Sequence, residues 1–84
     1  MTTTTMWEGR VAEGRLVEAE GWLRDVALPA LRGTAGCTYA RGWVGVEQDL
    51  VVVVADWDGE PGRHPEPPDG LVPRASAWPF RPVG

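Results

Sequence analysis

Four consecutive valines, Val51 to Val54, lie inside the run Asp49-Leu-Val-Val-Val-Val-Ala-Asp-Trp-Asp58, the one long apolar stretch of the chain. Branching at Cβ stiffens χ1 and suits the pleated, packed surface of a sheet. An unbroken apolar run, rather than an alternating one, predicts a strand buried on both faces and central in its sheet. It is too short for a membrane span, which needs about 20 apolar residues. The rest of the chain must therefore supply neighbours and cover for this strand.

The chain has few means of doing so. Its 84 residues are expected to form one domain, and a chain of this size buries only about 60–65% of its extended surface. Small domains gain further stability from disulfides, metals or partner subunits. Cys37 is the single cysteine and His64 the single histidine. An intrachain disulfide is therefore impossible, and one Cys and one His cannot make a four-ligand zinc site of the usual kind. No metal or other cofactor is expected. Self-association remains, and a homodimer is the expectation. Five tryptophans favour it, because Trp is enriched at interfaces.

The formal net charge is −4, and all eight basic residues are Arg, spread along the chain. Acids outnumber them, which argues against nucleic-acid binding. Met1 to Thr5 has neither a basic nor an apolar leader-like segment, so a cytoplasmic protein without membrane attachment is expected.

Thr2 to Thr5 is low in complexity and expected to fray. Met6 to Val11 reads as a first strand. Arg15 to Leu28 reads as a helix, with Leu16, Ala19, Leu23, Val26, Ala27 and Ala30 along one face. Pro29 should end or kink it, with a last turn running on towards Gly33 or Gly36. Cys37 to Trp43 reads as a second strand, hairpin-paired to the valine strand. Residues 59–73 hold five prolines and three glycines, which rules out a regular helix. Arg74 to Phe80 reads as a last strand, at an edge because Pro79 cannot donate to a ladder. The order β, α, β, β, proline-rich segment, β fits a split βαβ arrangement, with strands one and three central.

Alternation along the second strand puts Cys37, Tyr39, Arg41 and Trp43 on one face. Tyr39 can donate to an anionic or phenolate oxygen and Arg41 can pair with it. The competing reading is a sheet face covered by a partner subunit. His64 is a candidate general base, set against a solvated loop histidine. Trp57 and Trp43 are candidates to stack on an aromatic ligand. For Trp57 the alternative is a core or interface anchor. Cys37 lacks a neighbouring base and reads as a small buried thiol. Asp56 and Asp58 flank Trp57; paired carboxylates can do acid–base work or bind a hard cation, and the competing reading is solvated residues at a strand end.

Three stretches together resemble the antibiotic-biosynthesis-monooxygenase-like family of the dimeric α/β-barrel superfamily. They are Met6-Trp-Glu-Gly-Arg10, Leu28-Pro-Ala-Leu-Arg-Gly-Thr-Ala-Gly-Cys37 and Asp49 to Asp58, with Trp78-Pro-Phe80 as last strand. The resemblance implies an α+β, ferredoxin-like protomer that pairs through its sheet. It has four antiparallel strands and one main helix, and a proline-rich segment replaces the second helix. It further implies a cofactor-independent monooxygenase-like protein binding a small aromatic or polyketide-like molecule. Catalytic candidates are then Tyr39, Arg41 and His64, and substrate-binding candidates Trp57, Tyr39 and Trp43. The alternative is a non-catalytic dimeric ligand-binding or protein-interaction module.

Overall fold

A computed structural model describes residues 1–83. The valine run forms β3 (Leu50–Asp58). β1 (Thr2–Arg10) and β2 (Cys37–Gly45) flank it, and β4 (Arg74–Phe80) completes the sheet beside β1. The order is β2-β3-β1-β4, with every neighbouring pair antiparallel. β1 and β2 thus run parallel with β3 between them, as the split βαβ reading required. The β2–β3 hairpin and the edge position of β4 also match expectation.

Burial along β3 alternates rather than being complete on both faces. Val51, Val53, Ala55 and Trp57 are at most 2% exposed, whereas Leu50, Val52, Val54 and Asp56 are only half-buried. The unbroken run therefore predicted one covered face more than the chain itself supplies. Helical segments lie on one side of the sheet, and nothing among the described residues covers the other. That open face continues across the sheet in rows set by the register. Arg41, Val54, Met6 and Trp78 form one row; Trp43, Val52, Glu8 and Ser76 form the next.

Thr2 to Thr5 does not fray. These residues pair with Asp58 through Ala55 and lengthen β1. Four β-branched residues in succession fit an extended strand, a signal masked by the repetitive composition.

The helical layer spans 16–32 and crosses Pro29. It consists of α1 (Leu16–Trp22), a π-helical turn at Leu23–Ala27, and α2 (Leu28–Arg32). A proline in a regular helix clashes with the carbonyl four residues earlier. Here the Leu28 N–H bonds to Leu23 O, five residues back, which widens the helix ahead of Pro29. Pro29 then starts α2, where its missing N–H is harmless. The wide turn also rephases the buried stripe. Ala19, Leu23, Ala27 and Leu31 recur every four residues in the core, while Val26 is 52% exposed and Ala30 lies outside. The stripe expected through Val26 and Ala30 is thus rotated away.

An irregularity in pairing at Cys37/Tyr39 corrects a second facial assignment. Cys37 pairs with Trp57 and Tyr39 with Asp56. Cys37 therefore packs against the core, while Tyr39, Arg41 and Trp43 line the open face. A one-residue shift moves side chains to the opposite face.

No regular element forms in 59–73. The segment lies on the helix side of β1 as a strap. Leu71 is fully buried in the core and Val72 packs beside it, and Leu71 O accepts from Ala12 N–H at 2.9 Å. Two glycines make the close packing possible. A Cβ on Gly9 would fall 2.5 Å from Val72 Cγ1 and 2.8 Å from the Trp7 ring; one on Gly62 would fall 3.0 Å from the Trp57 ring. Among the described residues no helix is long and apolar enough to cross a membrane.

Candidate functional site

Alternation along β1 sends Thr5, Trp7 and Gly9 to the helix side. On β3 the same alternation buries Trp57 completely. A buried indole N–H needs an acceptor. Trp57 Nε1 finds one in Thr5 Oγ1, at 2.9 Å. The strap then carries His64 to the same hydroxyl, with Nε2 3.3 Å from Thr5 Oγ1. The imidazole lies nearly parallel to the Trp7 indole, with an 18° interplanar angle and centroids 6.3 Å apart. Trp7 is in turn held by Trp22 from α1, with centroids 6.1 Å apart. His64 is thus positioned by a chain of contacts reaching into the core.

His64 is half-buried, and burial lowers its pKa by disfavouring the imidazolium. The ring is therefore neutral at pH 7. Thr5 Oγ1 accepts the Trp57 proton, so its own O–H can donate to Nε2; alternatively Nε2–H donates and Nδ1 carries the lone pair. No buried side-chain polar atom lacks a partner among the described residues, and Nδ1 has no hydrogen-bond partner among them. It is therefore open to solvent.

His64 borders an open cleft of 340 Å³. Trp7, Pro61, Ala77 and Pro79 supply its apolar walls, and Thr5, Arg63 and His64 its polar groups; Trp78 borders it from β4, in the row whose side chains face the open side of the sheet. Such a cleft suits a flat apolar molecule with one hydrogen-bonding group.

The residues singled out from sequence divide between the two sides of the sheet. His64 and Trp57 lie on the helix side. Trp57 is a core residue and reaches no ligand surface, contrary to the stacking role considered for it. Tyr39, Arg41 and Trp43 lie together on β2, and Tyr39 and Trp43 are 45% and 44% exposed. Arg41 Cζ sits 5.4 Å from the Trp43 ring centroid, a cation–π contact. These three residues and His64 do not share one pocket. Asp56 accepts a 2.6 Å bond from Thr4 Oγ1, and Asp58 lies 3.9 Å from the N-terminal amine. Thr5 and Trp7 join the site only through the fold. Alternation in β1 signals that Trp7 shares a face with Gly9, but the long-range meeting of Thr5 with His64 carries no local signal.

No protein-family model and no curated protein matches the sequence. Among solved structures the chain is similar to Rv0793 from Mycobacterium tuberculosis, with a TM-score of 0.71 at 11% identity. The match covers 100% of this chain and 97% of that one. The fold is ferredoxin-like. In this architecture a second helix connects β3 to β4. Here the strap takes that connection and places His64 over β1, so the candidate cleft occupies the ground the missing helix would hold.

Proposed function

We propose that the cleft at His64 binds a small planar aromatic molecule bearing an ionisable hydroxyl, a phenol of polyketide type. The observation that carries this is the neutral imidazole fixed between Trp7 and Thr5 at the edge of a cleft walled by Trp7 and two prolines. The ring of the ligand stacks against Trp7, beside Ala77 and Pro79. With Nε2–H donated to Thr5 Oγ1, the Nδ1 lone pair accepts the ligand's O–H. Calorimetric titration with 1-naphthol tests the reading. Saturable binding that weakens about tenfold or more in His64→Gln supports it, since a hydrogen bond to a polar ligand group is worth this much. Equal binding of naphthalene by both proteins contradicts it.

The same cleft supports the finer reading of a cofactor-independent monooxygenase in the antibiotic-biosynthesis-monooxygenase-like group. Transfer of an anthrone-type proton to His64 leaves a delocalised anion. Its ring carbon bonds to dioxygen, the peroxide O–O bond then breaks, water leaves and a quinone carbonyl remains. Oxygen uptake matched by quinone formation, and lost in His64→Gln, supports catalysis. Uptake no faster than in buffer assigns the cleft to binding alone, as a non-catalytic module.

The open sheet face supports a homodimer. Met6, Val52 and Val54 form an apolar centre bordered by Trp43, Trp78 and Phe80, a composition typical of interface cores. A second copy placed there would give β3 the second covered face that its sequence demands.

A further inference from the structure

We propose a second binding site, at the end of the β1–β4 pair, that takes the phosphate monoester of a flat aromatic molecule. Antiparallel register sets Arg10 of β1 directly opposite Arg74 of β4. Both belong to the alternate set that faces the open side of the sheet, since Trp7 and Gly9 take the helix side. The two arginines line one cleft of 440 Å³ together with Glu8, Pro73, Ser76 and Trp78. It shares only Trp78 with the cleft at His64, and the proposal does not depend on what that cleft binds.

The pairing is unfavourable without a ligand. Residues directly opposite in an antiparallel pair have Cβ atoms about 4.5–5.5 Å apart, and like charges placed so repel. Neither arginine has a carboxylate within ion-pair distance among the described residues. The arginine side chains that make hydrogen bonds there are those of Arg15, Arg24 and Arg32. Arg10 and Arg74 therefore keep their guanidinium donors for an anion. Their backbones are nonetheless fixed. The Ala12 N–H donates to Leu71 O at 2.9 Å just beyond the pair, and Pro73 stiffens the entry to β4. An anion held between the two forks turns the repulsion into attraction.

The surroundings select the anion. A phosphate monoester carries about −1.5 to −2 charges at pH 7 and three acceptor oxygens, enough to engage both forks. Ser76 lies one row along the face, and its hydroxyl can donate a further bond. Glu8 stands opposite Ser76 and repels any second anionic group, which favours a monoester over a diphosphate or an acidic polymer. In the next row Trp78 is 46% exposed, and an aromatic body can stack on it. The order Arg10/Arg74, Ser76, Trp78 along the face thus matches phosphate, ester link and ring. Met6 and Val54 share the row of Trp78, so the phosphate end lies two rows from the centre of the proposed dimer contact.

The test is a ¹H–¹⁵N NMR titration of the full chain at pH 7 with 1-naphthyl phosphate, set against inorganic phosphate and 1-naphthol. The expected result is saturable shifts at Nε of Arg10 and Arg74, at the Ser76 amide and at the Trp78 indole N–H. Inorganic phosphate should move the same arginines with about tenfold weaker affinity or worse, because stacking is lost. The naphthol should leave both arginines unmoved. Arg10→Gln and Arg74→Gln should each weaken the ester about tenfold or more, the range of a charge-assisted hydrogen bond. Arg24→Gln, in the helical layer, should not, and Glu8→Gln should tighten it. All four positions are exposed, so these substitutions leave the core intact. Unchanged affinity in both Arg10→Gln and Arg74→Gln overturns the proposal, as does weaker binding in Glu8→Gln. Equal affinity for ester and inorganic phosphate overturns it too, and so do shifts centred on His64 and Trp7 alone. Binding seen only in a monomeric Val54→Glu variant assigns the two arginines to a contact between copies and likewise overturns it.

Discussion

Trp57 Nε1 donates to Thr5 Oγ1 at 2.9 Å inside the core, and the same oxygen lies 3.3 Å from His64 Nε2. One hydroxyl therefore satisfies the central strand's tryptophan and positions the only histidine. Thr5→Val keeps the shape and removes the acceptor. It should destabilise the fold by about 1–3 kcal/mol, the cost of an unpaired buried donor. Urea denaturation measures this. The same change should release His64, read as movement of its ring resonances towards those of a solvated imidazole.

Burial holds the His64 pKa below the ordinary imidazole range. As pH falls, the unfolded chain takes up this proton before the folded one does. The contribution to stability is thus complete above about pH 6.5. It declines as pH drops through the lower folded value. His64→Gln should flatten this part of the stability profile. Glu18 and Asp25 also have lowered pKa values, through their hydrogen bonds to Arg15 and Arg24. They are fully exposed and titrate in a more acidic range, so they do not mask the histidine.

Gly62 sits where a Cβ would lie 3.0 Å from the Trp57 ring, and that ring is held by β1 and β3. Gly62→Ala should push the strap outward and cost about 1–3 kcal/mol, as overpacking does. Hydrogen exchange should quicken at Leu71, whose N–H bonds to Pro68 O within the strap.

Val54 lies on the open face, opposite Arg41 on one side and Met6 on the other. Val54→Glu places a charge at the centre of the proposed dimer contact without entering the core. Sedimentation should show a dimer for the unaltered chain and a monomer for the variant. A monomeric unaltered chain would remove the dimer from the account.

Much of the sheet was legible because its signals are local. The apolar run set β3 at the centre, the hairpin joined it to β2, and Pro79 confined β4 to an edge. The helix was located but its buried face was not. A π turn ahead of Pro29 inserts a phase shift that hydrophobic spacing cannot anticipate. The irregular pairing at Cys37/Tyr39 similarly moved Cys37 across the sheet. At the site, His64 was named as a candidate, but its partners were not. Thr5 lies in a repetitive stretch and meets His64 across 59 residues of chain, a contact no short pattern records. The valine run also predicted cover on a face that the described residues leave open.

The central claim is that the cleft at His64, and not the β2 face bearing Tyr39, is where a phenol binds. A ¹H–¹⁵N and ring-resolved NMR titration with 1-naphthol tests it most directly. The account predicts saturable shifts at His64 Nδ1, the Trp7 indole N–H and the Gly62 and Ala77 amides, with Tyr39 and Arg41 unmoved. Shifts confined to Tyr39, Arg41 and Trp43, or no saturable shift at His64, would contradict it.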